Sequence, residues 1–244
     1  MTVWGAKRQT LDQTLGLIAV GAVCVCAYAL ATLPLRLVLG ETAARAGVSA
    51  QAVEGTLWAG TLRGAAFRGV PLGDLRLRTH LWPLLTGQWR MSLQSDNGPL
   101  RRADIGLSGA ALDLSGLEGR LPVSLLVPGA NWPGGLSLSG VSIKRDPSGT
   151  CVSASGPVRW DALETWGGPP LTGTLRCEGG QVVLPLAGSS DLATVRVRLS
   201  LSAASKARLQ VEAESHSPAM SSAAALMGLT ETTPGLWTLD RTAP

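Results

Sequence analysis

The chain has 244 residues, of which 45% are apolar and only 16% charged, with a formal net charge of +4. That length suits one large domain or two small ones, and so much apolar content with so little net charge argues against intrinsic disorder. The small basic excess argues equally against nucleic acid as a partner.

The first element is an uncharged run, LGLIAVGAVCVCAYALATL, spanning residues 15–33. It has about the length a helix needs to cross a hydrocarbon core of roughly 30 Å. Lys7 and Arg8 precede it, so the positive-inside rule makes residues 1–14 a cytoplasmic tail and sends everything after Pro34 across the membrane. A cleaved signal peptide is the competing reading, with Ala29-Leu30-Ala31 as a small-residue cleavage site. Such h-regions usually have about 7–15 residues, so the uncleaved anchor is favoured. Either reading exports the rest of the chain.

Residues 34–52 form a connector with a helix-compatible stretch, Glu41–Ala46, interrupted by Gly47. From Val53 onwards the period becomes two. Leu75 and Leu77 alternate with Asp74, Arg76 and Arg78, and Trp89, Met91 and Leu93 with Arg90, Ser92 and Gln94. Ile105–Leu107, Leu136–Leu138, Val195–Leu201 and Leu209–Val211 repeat the pattern. Alternation of this kind is that of antiparallel strands with one buried and one wet face. Turn signals separate them at Asp96–Pro99, Asp146–Gly149 and Glu178–Gly180. Helix signals are few: a short turn at Trp160–Trp166, and Pro218–Met227, which opens on proline and stops at Gly228. The expected fold is mainly β: residues 53–244 as a curved, largely antiparallel sheet, half-barrel or sandwich-like, with two lobes meeting near residues 128–133.

Cys24 and Cys26 lie inside the apolar run, whereas Cys151 and Cys177 are the two that follow it. In an oxidising compartment the latter pair is most simply a disulfide, the alternative being two separate buried thiols.

Chemistry is hard to place on this chain. The two histidines, His80 and His216, have no evident carboxylate or cysteine companion. A G-x-S-x-G elbow and a serine three residues before a lysine are both absent. None of the three lysines, Lys7, Lys144 and Lys206, completes a phosphate-binding loop. Metal-ligand spacings are missing too, so no enzyme, cofactor or metal is expected. Arg76, Arg78, Arg90, Arg101 and Arg102 fall in or beside adjacent strands. They are candidates to line one sheet face and meet lipid headgroups or an acidic partner; the plainer reading is a solvated polar face. Most tryptophans are expected as core plugs in a chain with one Phe.

The stretch GTLWAGTLRG, residues 55–64, has no lysine and no long helix after it. It reads as the first hairpin or kinked strand beyond the membrane, with Ala59-Gly60 as the bend. Leu33-Pro34 before it, THLWPLLTGQWRMSL (79–93), GLEGRLPVSLL (116–126), and the later CVSASGPVRW and LRCEGGQVVLPL complete a pattern. Over roughly residues 15–190 this pattern resembles protein N of the type II (general) secretion pathway. A looser resemblance runs to AsmA-like domains, although Leu81-Trp82-Pro83 lacks their spacer. The first resemblance implies a non-enzymatic inner-membrane component whose periplasmic β-domain docks other secretion proteins. The second implies a lipid-binding or lipid-transfer module.

Overall fold

A computed structural model of the chain describes residues 47–84, 86–125, 134–161, 163–164, 168–202, 206–215 and 217–243, with residues 31–36 and a few positions between 21 and 29. Seventeen strands join in one sheet. The first eight are β1 (Val48–Ser49), β2 (Ala52–Gly55), β3 (Ala59–Phe67), β4 (Val70–His80), β5 (Gln88–Gln94), β6 (Leu100–Ser108), β7 (Ala111–Pro122) and β8 (Gly135–Arg145). The others are β9 (Cys151–Ser155), β10 (Pro157–Trp160), β11 (Leu171–Thr174), β12 (Arg176–Glu178), β13 (Gln181–Ser189), β14 (Ala193–Leu201), β15 (Ala207–Ser215), β16 (Thr230–Thr233) and β17 (Leu236–Ala243). Among the described residues two short α-helices, α1 (Leu81–Leu84) and α2 (Pro218–Leu226), and a 3-10 turn at Val123–Leu125 interrupt them.

Every ladder is antiparallel, as the alternating pattern requires. β1 and β2 lie end to end along β3, and β3 to β8 then follow as a meander. β9 and β10 share the far side of β8, β10 pairs with β11, and β11 and β12 share β13. β13, β14 and β15 continue the order, and β17 returns beside β15 with β16 on its outer side. Among the described residues no strand ladder joins β1 or β2 to β16 or β17, so the sheet is open.

The inward rows build two hydrophobic clusters. One gathers Leu62, Ala65, Leu72, Leu75, Leu77 and Leu35, the last arriving from the segment before the sheet. The other gathers Val158, Trp160, Leu171, Val182, Val195 and Val197 with α2 residue Ala224. Leu117 on β7 and Leu138 on β8 pack against both. Each Val or Leu taken fully out of water contributes about 1.5–3 kcal/mol. In β14 that burial takes every second residue, Val195, Val197 and Leu199, and leaves Arg196 and Arg198 outside.

The strands expected at 75–77, 89–93, 105–107, 136–138, 195–201 and 209–211 are present, each longer than its alternating core. α2 starts at the expected proline, and Gly228 follows it at φ +79°. The first hairpin is shifted, however. Ala59 and Gly60 already belong to β3; the turn is Thr56–Trp58, and Gly55 takes the positive φ of +90°. Gly60 is required for another reason: a Cβ there would sit 2.4 Å from Leu35 Cδ2. Trp160 is a core plug, but Trp82 is 82% exposed, a correction to the expectation for tryptophans. The sheet begins at Val48, inside the stretch read as connector.

The stretch Glu41–Ala46, the junction at 128–133, His216 and much of the apolar run fall outside the described residues. No helix among the described residues is long and apolar enough to cross a membrane. Those described in the run before Leu33, among them Val25 and Tyr28, are exposed rather than packed on the sheet.

Candidate interaction surface

Register decides which of the five arginines share a face. Arg76 lies opposite Gln94, which lies opposite Arg102. Arg78 lies opposite Ser92, and His80 opposite Arg90. Directly paired residues point the same way, as do residues two apart on one strand, so Arg76, Arg78, Arg90 and Arg102 line the outward face of β4–β6. Arg101 is also exposed, but the β6–β7 register shifts between Leu100 and Arg102, so alternation along the strand does not assign it to that face.

Arg76, Arg78 and Arg102 border a concavity of about 720 Å³ with Glu54, Thr61 and His80, while Arg90 borders a neighbouring one of about 460 Å³. Two of them are neutralised locally: Arg76 by Asp96 at 2.6 Å and Arg102 by Asp104 at 3.2 Å. Arg78 and Arg90 have no carboxylate partner among the described residues. The face therefore offers two uncompensated guanidinium forks, each able to take a carboxylate or phosphate in bidentate fashion.

His80 Nε2 lies 2.9 Å from Ser92 Oγ, a contact across β4–β5 that spacing in the sequence did not reveal. Nucleophilic catalysis also needs a third group to orient the base, and no carboxylate holds His80 among the described residues. Nor does any group of three His, Cys, Asp or Glu there suit a metal ion.

Cys151 and Cys177 form the expected disulfide, with Cα atoms 5.7 Å apart. It ties β9 to β12, which no strand ladder joins; beside it the Cys151 amide donates to the Gly180 carbonyl at 2.8 Å.

Both ends of the strand order are unpaired. β16 is short, bulged and exposed at all four residues. It covers β17 only up to Thr238, leaving the outer side of residues 239–243 without a ladder among the described residues. Polar, short and bulged strands are how natural sheets blunt an edge against indiscriminate pairing while leaving it available to a chosen chain.

An open, wholly antiparallel sheet, stapled by a disulfide and carrying a basic outward face, defines the class of this protein. Within that class the chain belongs to the family described as type II secretion system (T2SS), protein N, whose profile matches residues 46–239. The match extends through β16 and the first half of β17, beyond the motifs that carry the resemblance. No curated protein and no solved structure matches the chain.

Proposed function

We propose that the protein is a non-enzymatic, inner-membrane-anchored component of the type II secretion system. Its β-domain lies in the periplasm and serves as a structural or docking element for other components of the machine. Family membership over residues 46–239 carries the reading. The exposed apolar residues of the run at 15–33 support the anchor, because an apolar segment that its own domain leaves uncovered calls for another apolar environment. The disulfide supports the periplasm, and the unpaired side of β16 and β17 supplies a docking edge.

The alternative, an AsmA-like lipid module, calls for a wide apolar groove. Two apolar crevices among the described residues are small, about 20 Å³ beneath α2 and about 80 Å³ between β8 and β14. Ligand sites commonly measure about 300–1,000 Å³, so the interior favours the scaffold.

Affinity purification of the tagged full chain from detergent-solubilised membranes tests the proposal. The expected result is co-purification of other type II secretion proteins, retained under conditions that remove abundant envelope proteins. Purification without any of them contradicts it.

A further inference from the structure

Because β2 to β9 run up and down in sequence order, the β2–β3 turn, the β4–β5 connection with α1, the β6–β7 turn and the β8–β9 turn share one end of the sheet. The chain enters the domain at that same end. Leu57 donates its N–H to the Leu33 carbonyl at 3.0 Å, and Pro34 bridges to Thr56. The Thr79 hydroxyl donates to the Leu57 carbonyl at 2.7 Å, and α1 begins two residues later. The last residue of the apolar run is thus two hydrogen bonds from the strand that leads into α1.

This end also collects exposed apolar side chains. Trp82 on α1 is 82% exposed, Leu84 38%, Leu112 at the start of β7 36%, and Val152 64%. Val152 is the extra residue of a bulge, since Lys144 pairs with Ser153 but Arg145 with Cys151; bulges commonly re-aim a side chain in this way. Cations accompany them. A cross-strand row runs His80, Arg90, Gly106, Asp113, Lys144, Ser153; Arg78 stands two residues before His80 on the same face, and Arg145 follows Lys144 in the row opposite Leu112. Lys144 is paired with Asp113 at 3.3 Å. Asp146 is engaged by Ser148 and Thr150 of its own turn, and Glu54 beside the β2–β3 turn is paired with Arg63 at 3.1 Å. Arg78, Arg90 and Arg145 have no ion pair among the described residues.

We propose that this end of the sheet rests on the membrane surface, with Trp82 and Leu84 in the headgroup region and Arg78, Arg90 and Arg145 on anionic lipid headgroups. The inference rests on the reading of residues 15–33 as the membrane anchor, which delivers the chain to this end. Tryptophan beside arginine next to a membrane exit is the composition of an interfacial contact. The β-domain is then seated in a fixed orientation, and its basic face starts at the membrane and extends away from it.

The test uses the full chain reconstituted in vesicles of phosphatidylethanolamine and phosphatidylglycerol, with lipids spin-labelled near the headgroup to quench tryptophan. The expected result is a quenched component that Trp82→Phe removes and Trp237→Phe leaves intact. Each cation near an anionic surface changes the ratio of bound to free by about fivefold. Arg78→Gln with Arg90→Gln therefore loses most of that component, as does replacing phosphatidylglycerol with phosphatidylcholine. Quenching unchanged by Trp82→Phe, or by the double arginine variant, overturns the proposal. So does an unquenched Trp82 whose position cross-links instead to a secretion protein in cells. Alkaline carbonate extraction separates the two readings. A chain that washes off contradicts the anchor and this seating together, whereas a chain that stays with Trp82 unquenched overturns the seating alone.

Discussion

Two carboxylates are held below the ordinary 3.8, each by neighbours that donate to it. Asp146 is lowered first by the Ser148 hydroxyl and then by the Thr150 amide, and Asp240 first by its hydrogen bond from Arg208, with Gln210 adding to it. A carboxyl whose folded pKa lies below its unfolded one binds fewer protons when folded. The stability it adds is complete above 3.8 and is lost as pH falls through the folded value. The urea midpoint of the β-domain is accordingly expected to hold at neutral pH and to fall as the pH drops below 3.8. Asp146→Asn with Asp240→Asn is expected to start lower and to fall less steeply, and an equal slope in the two proteins contradicts the assignment. Of the two sites, the first was legible in the sequence, because Asp-Pro-Ser-Gly is a turn whose aspartate caps its own backbone. Asp240 was not, since its partner Arg208 lies 32 residues away and becomes a neighbour only through the β15–β17 register.

At the scale of elements, alternation made β4, β5, β6, β14 and β15 readable, each having one face in water and one in a core. The stretch from β9 to β13 was harder. Its strands are short and bend at Gly156, where φ is +119° and a Cβ would lie 2.6 Å from the Val141 backbone. There the disulfide replaces a ladder by holding β9 to β12. Closing a loop of 26 residues contributes about 3.5 kcal/mol on the chain-entropy account. Reduction, or Cys151→Ala with Cys177→Ala, is expected to lower the unfolding free energy by about that amount, with the larger effect in the half built on β8–β15. Chemical denaturation with and without reductant measures it, and coincident curves contradict a structural role. α1 was illegible because four residues leave no period to detect. The arginine face was half legible: the residue type and strand proximity identified the candidates, but only the ladder register aligns Arg76, Arg78, Arg90 and Arg102 on one face.

At the scale of the molecule, two hydrophobic clusters share Leu117 and Leu138, so the sheet is one continuous surface rather than two closed barrels. Its two outermost strands differ in kind. The β1–β2 side lies where the chain arrives from residues 33–36, whereas β16 and the second half of β17 are at the other limit of the strand order. That far edge is where an added strand from another chain gains backbone hydrogen bonds without displacing anything described here. The family was legible from glycine and tryptophan motifs. The edge was not, because β16 is placed outside β17 by a reversal of strand order that α2 makes sterically feasible and periodicity does not encode.

The central claim is that this open sheet docks other components of the secretion machine. Photo-cross-linking in living cells, with a photoreactive residue at Thr232 on β16 or at Arg241 on β17, tests it most directly. The account predicts adducts to a type II secretion protein from these edge positions, and none from Leu171, which is fully buried in the second core. Edge positions that yield no adduct with any secretion component, in cells that are actively secreting, would contradict it.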